Sequence, residues 1–133
     1  MDRMIFVNLP VHDVTRSRAF YTGLGFTVNE MYSDEHVACI VVSDTIHVML
    51  LEHERFTQFT PLPIGDARTS TQVLNCLTAA SRDEVDTLGA QALAHGGTQF
   101  REPQDDGPMY VRTVADPDGH VWEILHMDLS AQG

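Results

Sequence analysis

The sequence predicts an α+β fold made of two βαβββ modules, on three observations. The order strand, helix, strand, strand, strand can be read twice along the 133 residues, on either side of a connector. The closing strands of the two halves share letters: His47-Val48-Met49-Leu50-Leu51-Glu52-His53 against His120-Val121-Trp122-Glu123-Ile124-Leu125-His126. With 43% hydrophobic and 20% charged residues, the composition is that of an ordinary globular chain long enough to bury a core. The expected organisation is a single domain over 1–133. Module one covers about 1–53, the connector about 54–71 and module two about 72–133.

Met4 to Val11 reads as the first strand, with Pro10 marking an edge or an end. Asp13 or Thr15 can cap the helix that follows, apolar positions recur at helical spacing from Ser17 to Leu24, and Gly23-Leu24-Gly25 stops it. Phe20, Tyr21 and Leu24 form a bulky stripe expected to cover one side of the sheet. Phe26–Met31, Val37–Ser43 and Ile46–Glu52 read as strands, the last two joined by the turn Ser43-Asp44-Thr45. The connector, 54 to 71, carries Pro61, Pro63 and Gly65 and shows no period; its Phe56 and Phe59 suit a subunit contact or a ligand.

In the second half, Val73–Ala80 is the first strand. Ser81 and Glu84 have capping-box spacing at the start of a helix that ends near His95 and Gly96-Gly97. Thr98–Arg101 and Met109–Ala115 follow as strands around a polar loop, 102 to 108, placed to close over a ligand. The turn Asp116-Pro117-Asp118-Gly119 leads into the last strand, His120–Met127.

Composition narrows the function. The formal charge is −11, and all eight basic residues are arginine: Arg3, Arg16, Arg18, Arg55, Arg68, Arg82, Arg101 and Arg112. Without lysine there is no Schiff-base chemistry. The acidity and the lack of a basic cluster argue against nucleic acid and anionic membranes as partners. Neither an apolar run long enough to span a bilayer nor a signal-peptide pattern is seen, so a cytoplasmic location is expected. Cys39 and Cys76 sit in apolar runs without CxxC spacing, and both are expected to be buried, reduced thiols.

Several stretches resemble the vicinal-oxygen-chelate superfamily, which includes glyoxalase I, bleomycin-resistance proteins and extradiol dioxygenases. The carrying residues are Asn8-Leu9-Pro10-Val11-His12-Asp13, Ser17-Arg18-Ala19-Phe20-Tyr21 and Leu24-Gly25-Phe26. Near the C-terminus they are Asp116-Pro117-Asp118-Gly119-His120 and Trp122-Glu123, so the resemblance spans almost the whole chain. It implies a cupped mixed sheet, a small-molecule ligand and a homodimer. It also implies a divalent metal in those members that place a ligand on the first and last strand of each module.

Those positions correspond to Phe6, Leu74, Glu123 and, by the repeat register, Leu50, or Met49 if that register slips by one. Only Glu123 can ligate a divalent cation through oxygen or imidazole nitrogen, so no metal is expected. Alternation along the strands assigns Phe6, Asn8, Val48, Leu50, Leu74, Cys76, Val121, Glu123 and Leu125 to the cup. A four-residue hairpin loop at 116–119 would set Arg112 opposite Glu123, where the two could form an ion pair. His47 would face away, unless a one-residue register error returned it to the cup as a metal ligand beside Glu123.

Three functions remain open. The first is a metal-free binding protein for a small organic molecule, with Phe6, Asn8, Leu50, Leu74, Cys76, Arg112, Glu123 and Leu125 as ligand-binding residues. The second is a metal-dependent lyase, isomerase or dioxygenase of glyoxalase type, using Glu123 as base or ligand. The third is a dimeric domain without a ligand of consequence.

Overall fold

Asp13 starts the first helix: its carboxylate accepts from the backbone N–H of Thr15 (2.9 Å) and Arg16 (3.3 Å), closing off donors that the first turn cannot satisfy internally. In the computed structural model, which describes residues 1–128, this helix is α1, Val14–Gly23. It follows β1 (Ile5–Val11) and precedes β2 (Thr27–Val28), β3 (Val37–Val41) and β4 (Ile46–Glu52), with a short helix α2 (His53–Phe56) directly after β4. The second half contains β5 (Leu74–Thr78), α3 (Arg82–Ala94), β6 (Thr98–Asp105), β7 (Met109–Ala115) and β8 (Val121–Met127). Two four-stranded mixed sheets result, ordered β1-β4-β3-β2 and β5-β8-β7-β6, with β1–β4 and β5–β8 parallel and the other pairs antiparallel. The predicted α+β class with two βαβββ halves is thus the observed one. The chain divides into two compact units, Met1–Asp66 and a second beginning at Ala67.

In the first unit α1 packs on β3 and β4. Parallel pairing sets Val7, Leu9 and Val11 beside Val48, Leu50 and Glu52, and antiparallel pairing sets Ile40 and Ala38 beside Val48 and Leu50. With Phe20 and Tyr21, whose rings meet edge to face at 4.8 Å, Leu9, Val11, Ala38, Ile40, Val48 and Leu50 make the helix-covered core. Leu24 is only half-buried, because it lies at the C-cap rather than on the stripe. The second strand is shorter than predicted. Asn29 accepts from the Met31 N–H and turns 30–32 into a single 3₁₀ turn.

In the second unit α3 packs on β7 and β8 over Val114, Trp122 and Ile124. Ser81 caps it, accepting from the Glu84 N–H at 3.1 Å, while Glu84 reaches back to the Ala80 N–H at 3.0 Å. The stretch expected to be a polar loop over a ligand is instead largely strand. β6 runs on to Asp105, carried past Pro103 by two register irregularities and tolerated as a sheet edge. Arg82 pins this extension to the start of α3. Its guanidinium donates to both Asp105 oxygens (2.7 and 2.9 Å) and to the Gly107 carbonyl (2.7 Å), and lies 5.1 Å from the Tyr110 ring centroid.

Candidate functional site

The first unit has a pocket on the sheet face away from α1. Parallel β1–β4 pairing puts Phe6 beside His47 and Asn8 beside Met49, and Cys39 pairs with Met49 from β3, so these side chains share one face. Met4, Asn29 and Tyr32 complete the wall around a cavity of about 480 Å³, within the range of small-molecule sites. None of the lining residues is an aspartate, glutamate, lysine or arginine.

His47 is the distinctive group. Its ring stacks on Phe6 with centroids 4.6 Å apart and planes 14° from parallel. The residue is 8% exposed, and its Nδ1 is buried with no hydrogen-bond partner. An unsatisfied buried nitrogen costs about 1–3 kcal/mol. Cys39, paired with Met49 on the neighbouring strand, is fully buried, and that burial pushes its thiol up. Asn29 has its side-chain oxygen engaged with Met31, and the Asn8 amide donates to the Phe6 carbonyl at 3.3 Å.

This arrangement corrects the strand register expected from the repeat. Matching HVMLLEH to HVWEILH aligns His47 with His120, whereas the ladders align Ile5 with Ile46 and Leu74 with Val121. Faces then equate Met49, not Leu50, with Glu123. Leu50 and Val48 are fully buried against the helix side and do not belong to a ligand face. His47, expected to point away, faces the pocket.

In the second unit Leu74, Cys76, Val121, Glu123 and Leu125 do share the face away from α3, with Cys76 directly beside Glu123. Cys76 is exposed, not buried as expected, because β5 is an edge strand; partial desolvation and then the Glu123 charge push its thiol up. The predicted Arg112–Glu123 pair does not form. Asp116 and His120 close the turn, with Asp116 N–H donating to the His120 carbonyl at 2.9 Å, and Ala115 pairs with Val121. The ladder is therefore one residue out from the expected one: Thr113 stands opposite Glu123, and Arg112 opposite Ile124. Arg112 points to α3, where its guanidinium lies 3.3 Å from the Asp86 carbonyl oxygen and 3.8 Å from its carboxylate.

The four positions that resemble metal-ligand positions are thus Phe6 and Met49 in the first unit and Leu74 and Glu123 in the second. A benzyl ring, a thioether, an isobutyl group and one carboxylate do not fit a divalent-metal centre. Among the described residues no three His, Cys, Asp or Glu side chains gather as a metal site.

Comparison with known proteins supports the fold reading. Residues 3–43 match the family described as Bleomycin resistance protein-like N-terminal. A hypothetical protein from S. aureus has 26% identity and a TM-score of 0.79, over 95% of this chain and 94% of the other. A glyoxalase-related enzyme from Fulvimarina pelagi has 20% identity and a TM-score of 0.79, over 95% and 88%. A glyoxalase/bleomycin resistance protein/dioxygenase family enzyme from Burkholderia phytofirmans has 20% identity and a TM-score of 0.77, over 95% and 99%. No curated protein matches the chain significantly. The chain thus shares the fold of these glyoxalase and bleomycin-resistance structures, and its residues 3–43 are similar to the bleomycin-resistance-like N-terminal family. Its first module is similar to the bleomycin-resistance type, and no helix among the described residues is long and apolar enough to cross a membrane.

Proposed function

We propose that this protein binds a small organic molecule in the pocket of its first module, and does so without a metal. The observation that carries the reading is the mostly apolar pocket of about 480 Å³, walled by the stacked rings of Phe6 and His47 and by Met4 and Met49. Pockets of that size, with few polar groups among apolar walls, suit drug-sized organic ligands. The metal-free part rests on the donor set: Phe6, Met49 and Leu74 offer nothing that binds a hard or borderline cation. Fold likeness to enzymes does not transfer their chemistry, because function resides in the site.

A homodimer belongs to the same reading. Ile5 and Phe6 on edge strand β1, and Val73 and Leu74 at edge strand β5, are exposed, as are Phe59 and Leu62 of the connector. Apolar groups on open edges favour association.

Two measurements test the proposal. Metal analysis of protein purified without chelators should find no stoichiometric zinc, nickel or iron. Such a metal bound through Glu123 would instead favour a glyoxalase-type lyase, isomerase or dioxygenase. A screen of small organic fragments, read by backbone amide NMR, should move the signals of Phe6, Asn8, His47 and Met49. Silence at all four across the screen would end the ligand-binding reading.

A further inference from the structure

We infer that this pocket takes an uncharged, largely apolar molecule and disfavours cations and anions of the same shape alike. The inference rests on the ligand-binding reading above and specifies the chemical class that the same site accepts. The least exposed of its walls are Cys39 and His47, at 1% and 8%, and burial pushes the Cys39 thiol up, away from the charged thiolate. The rim is formed by the exposed side chains of Met4, Phe6 and Tyr32, while Asn8 and Asn29 add neutral amides. No wall offers a counterion, so an ammonium or a carboxylate that enters loses hydration that nothing replaces. An apolar body gains from the same walls, because Phe6 and the two methionines shed water on contact with it.

The charged groups close by in the chain are engaged elsewhere or stand outside the lining. Glu30 and Asp34 flank Tyr32, but Arg18 bridges Glu30 at 2.6 Å and Arg55 bridges Asp34 at 3.4 Å. Arg3 and Glu35, near Met4 and Tyr32 in sequence, do not line the pocket. The net charge of −11 draws cations toward the surface and opposes anions. That field is screened within about 8 Å at physiological salt, and a cation drawn in by it still meets no carboxylate in the pocket.

The test uses the full-length chain and two frames of different shape, the flat benzyl group and the cage of adamantane. Each is offered as an alcohol, an ammonium and a carboxylate, at about pH 7 and about 0.15 M salt. Titrations are followed through the amide signals of Phe6, Asn8, His47 and Met49. On whichever frame binds, the alcohol should bind at least about tenfold more tightly than either charged partner, as expected when a charge enters an uncompensated apolar site. Asn8→Asp puts an isosteric carboxylate at an exposed position in the lining, where the fold tolerates it. It should narrow the alcohol's lead over the ammonium about three- to fivefold, the scale of a partly exposed ion pair, and widen its lead over the carboxylate.

An ammonium or a carboxylate that matches the alcohol at these signals in the wild-type protein would overturn the inference and leave the ligand-binding proposal standing. A lead over the ammonium that Asn8→Asp leaves unchanged would overturn it as well, since the preference would then not come from the lining. If neither frame moves the signals, the inference fails; the ligand-binding reading fails only if the wider fragment screen is silent as well.

Discussion

Replacing Gly119 with alanine isolates the contact between the last turn and the start of the second unit. Gly119 has φ +94°, and a Cβ there would stand 2.9 Å from the backbone nitrogen and Cγ of Arg68 and 3.0 Å from the carbonyl carbon of Ala67. Two of the three obstructing atoms are backbone, and Arg68 is further held by its bond to the Pro117 carbonyl at 2.7 Å. Gly96 is the matched control. It has φ +98° in the same unit, but its Cβ would meet only Pro117 Cγ at 3.7 Å, an ordinary contact. Forcing an L-residue to positive φ costs about 1–2 kcal/mol, and this part is common to both substitutions. Overpacking against atoms that cannot move aside adds about 1–3 kcal/mol, and only Gly119→Ala incurs it. Gly96→Ala should thus lose about 1–2 kcal/mol and Gly119→Ala about 2–5 kcal/mol, read from urea midpoints at unchanged slope. Equal losses in the two variants would show that residues 67–68 do not close over the turn.

Two other outcomes follow from the first unit. Phe20 is fully buried and in edge-to-face contact with Tyr21, so Phe20→Ala should cost about 3–5 kcal/mol by chemical denaturation; an unchanged midpoint would mean the helix face is misplaced. The exposed His36–Glu52 bridge, 2.7 Å between Nδ1 and Oε1, predicts a pH window. Glu52 is held low by the Val14 N–H first and His36 second, so its contribution is present above about pH 4.3 and is lost as pH falls through the lowered value. His36 is raised chiefly by its bond to Glu52, so its contribution is full below about pH 6.5 and is lost as pH rises through the raised value. The pair should therefore act most strongly between those limits, and a proton NMR titration of His36 in wild type and Glu52→Gln checks it. A His36 midpoint unchanged by Glu52→Gln would exclude the coupling.

Local signals in the sequence determined a good deal. Asp13 and Ser81 begin the helices because their short polar side chains reach the orphan N–H groups of the next turn, and that chemistry depends on neighbours alone. Alternation within β5 and β8 correctly grouped Leu74, Cys76, Glu123 and Leu125, since one strand's period carries over to the strand paired with it. Strand extent was less legible. The 102–105 segment looked like a loop because its composition is polar, yet Arg82, about twenty residues earlier, holds it against α3.

Only the tertiary structure decided which face His47, Leu50 and Arg112 occupy. A strand has a period of two, so a register error of one residue exchanges its faces. The shared letters of the two closing strands suggested one alignment, and hydrogen bonding to β1 and β5 imposed another. In the same way, closure of the turn by the Asp116–His120 pair moved Arg112 from beside Glu123 to α3. Residue types and their order identified the modules. The hydrogen-bonded register, set by contacts between segments distant in sequence, determined that the pocket is built around His47.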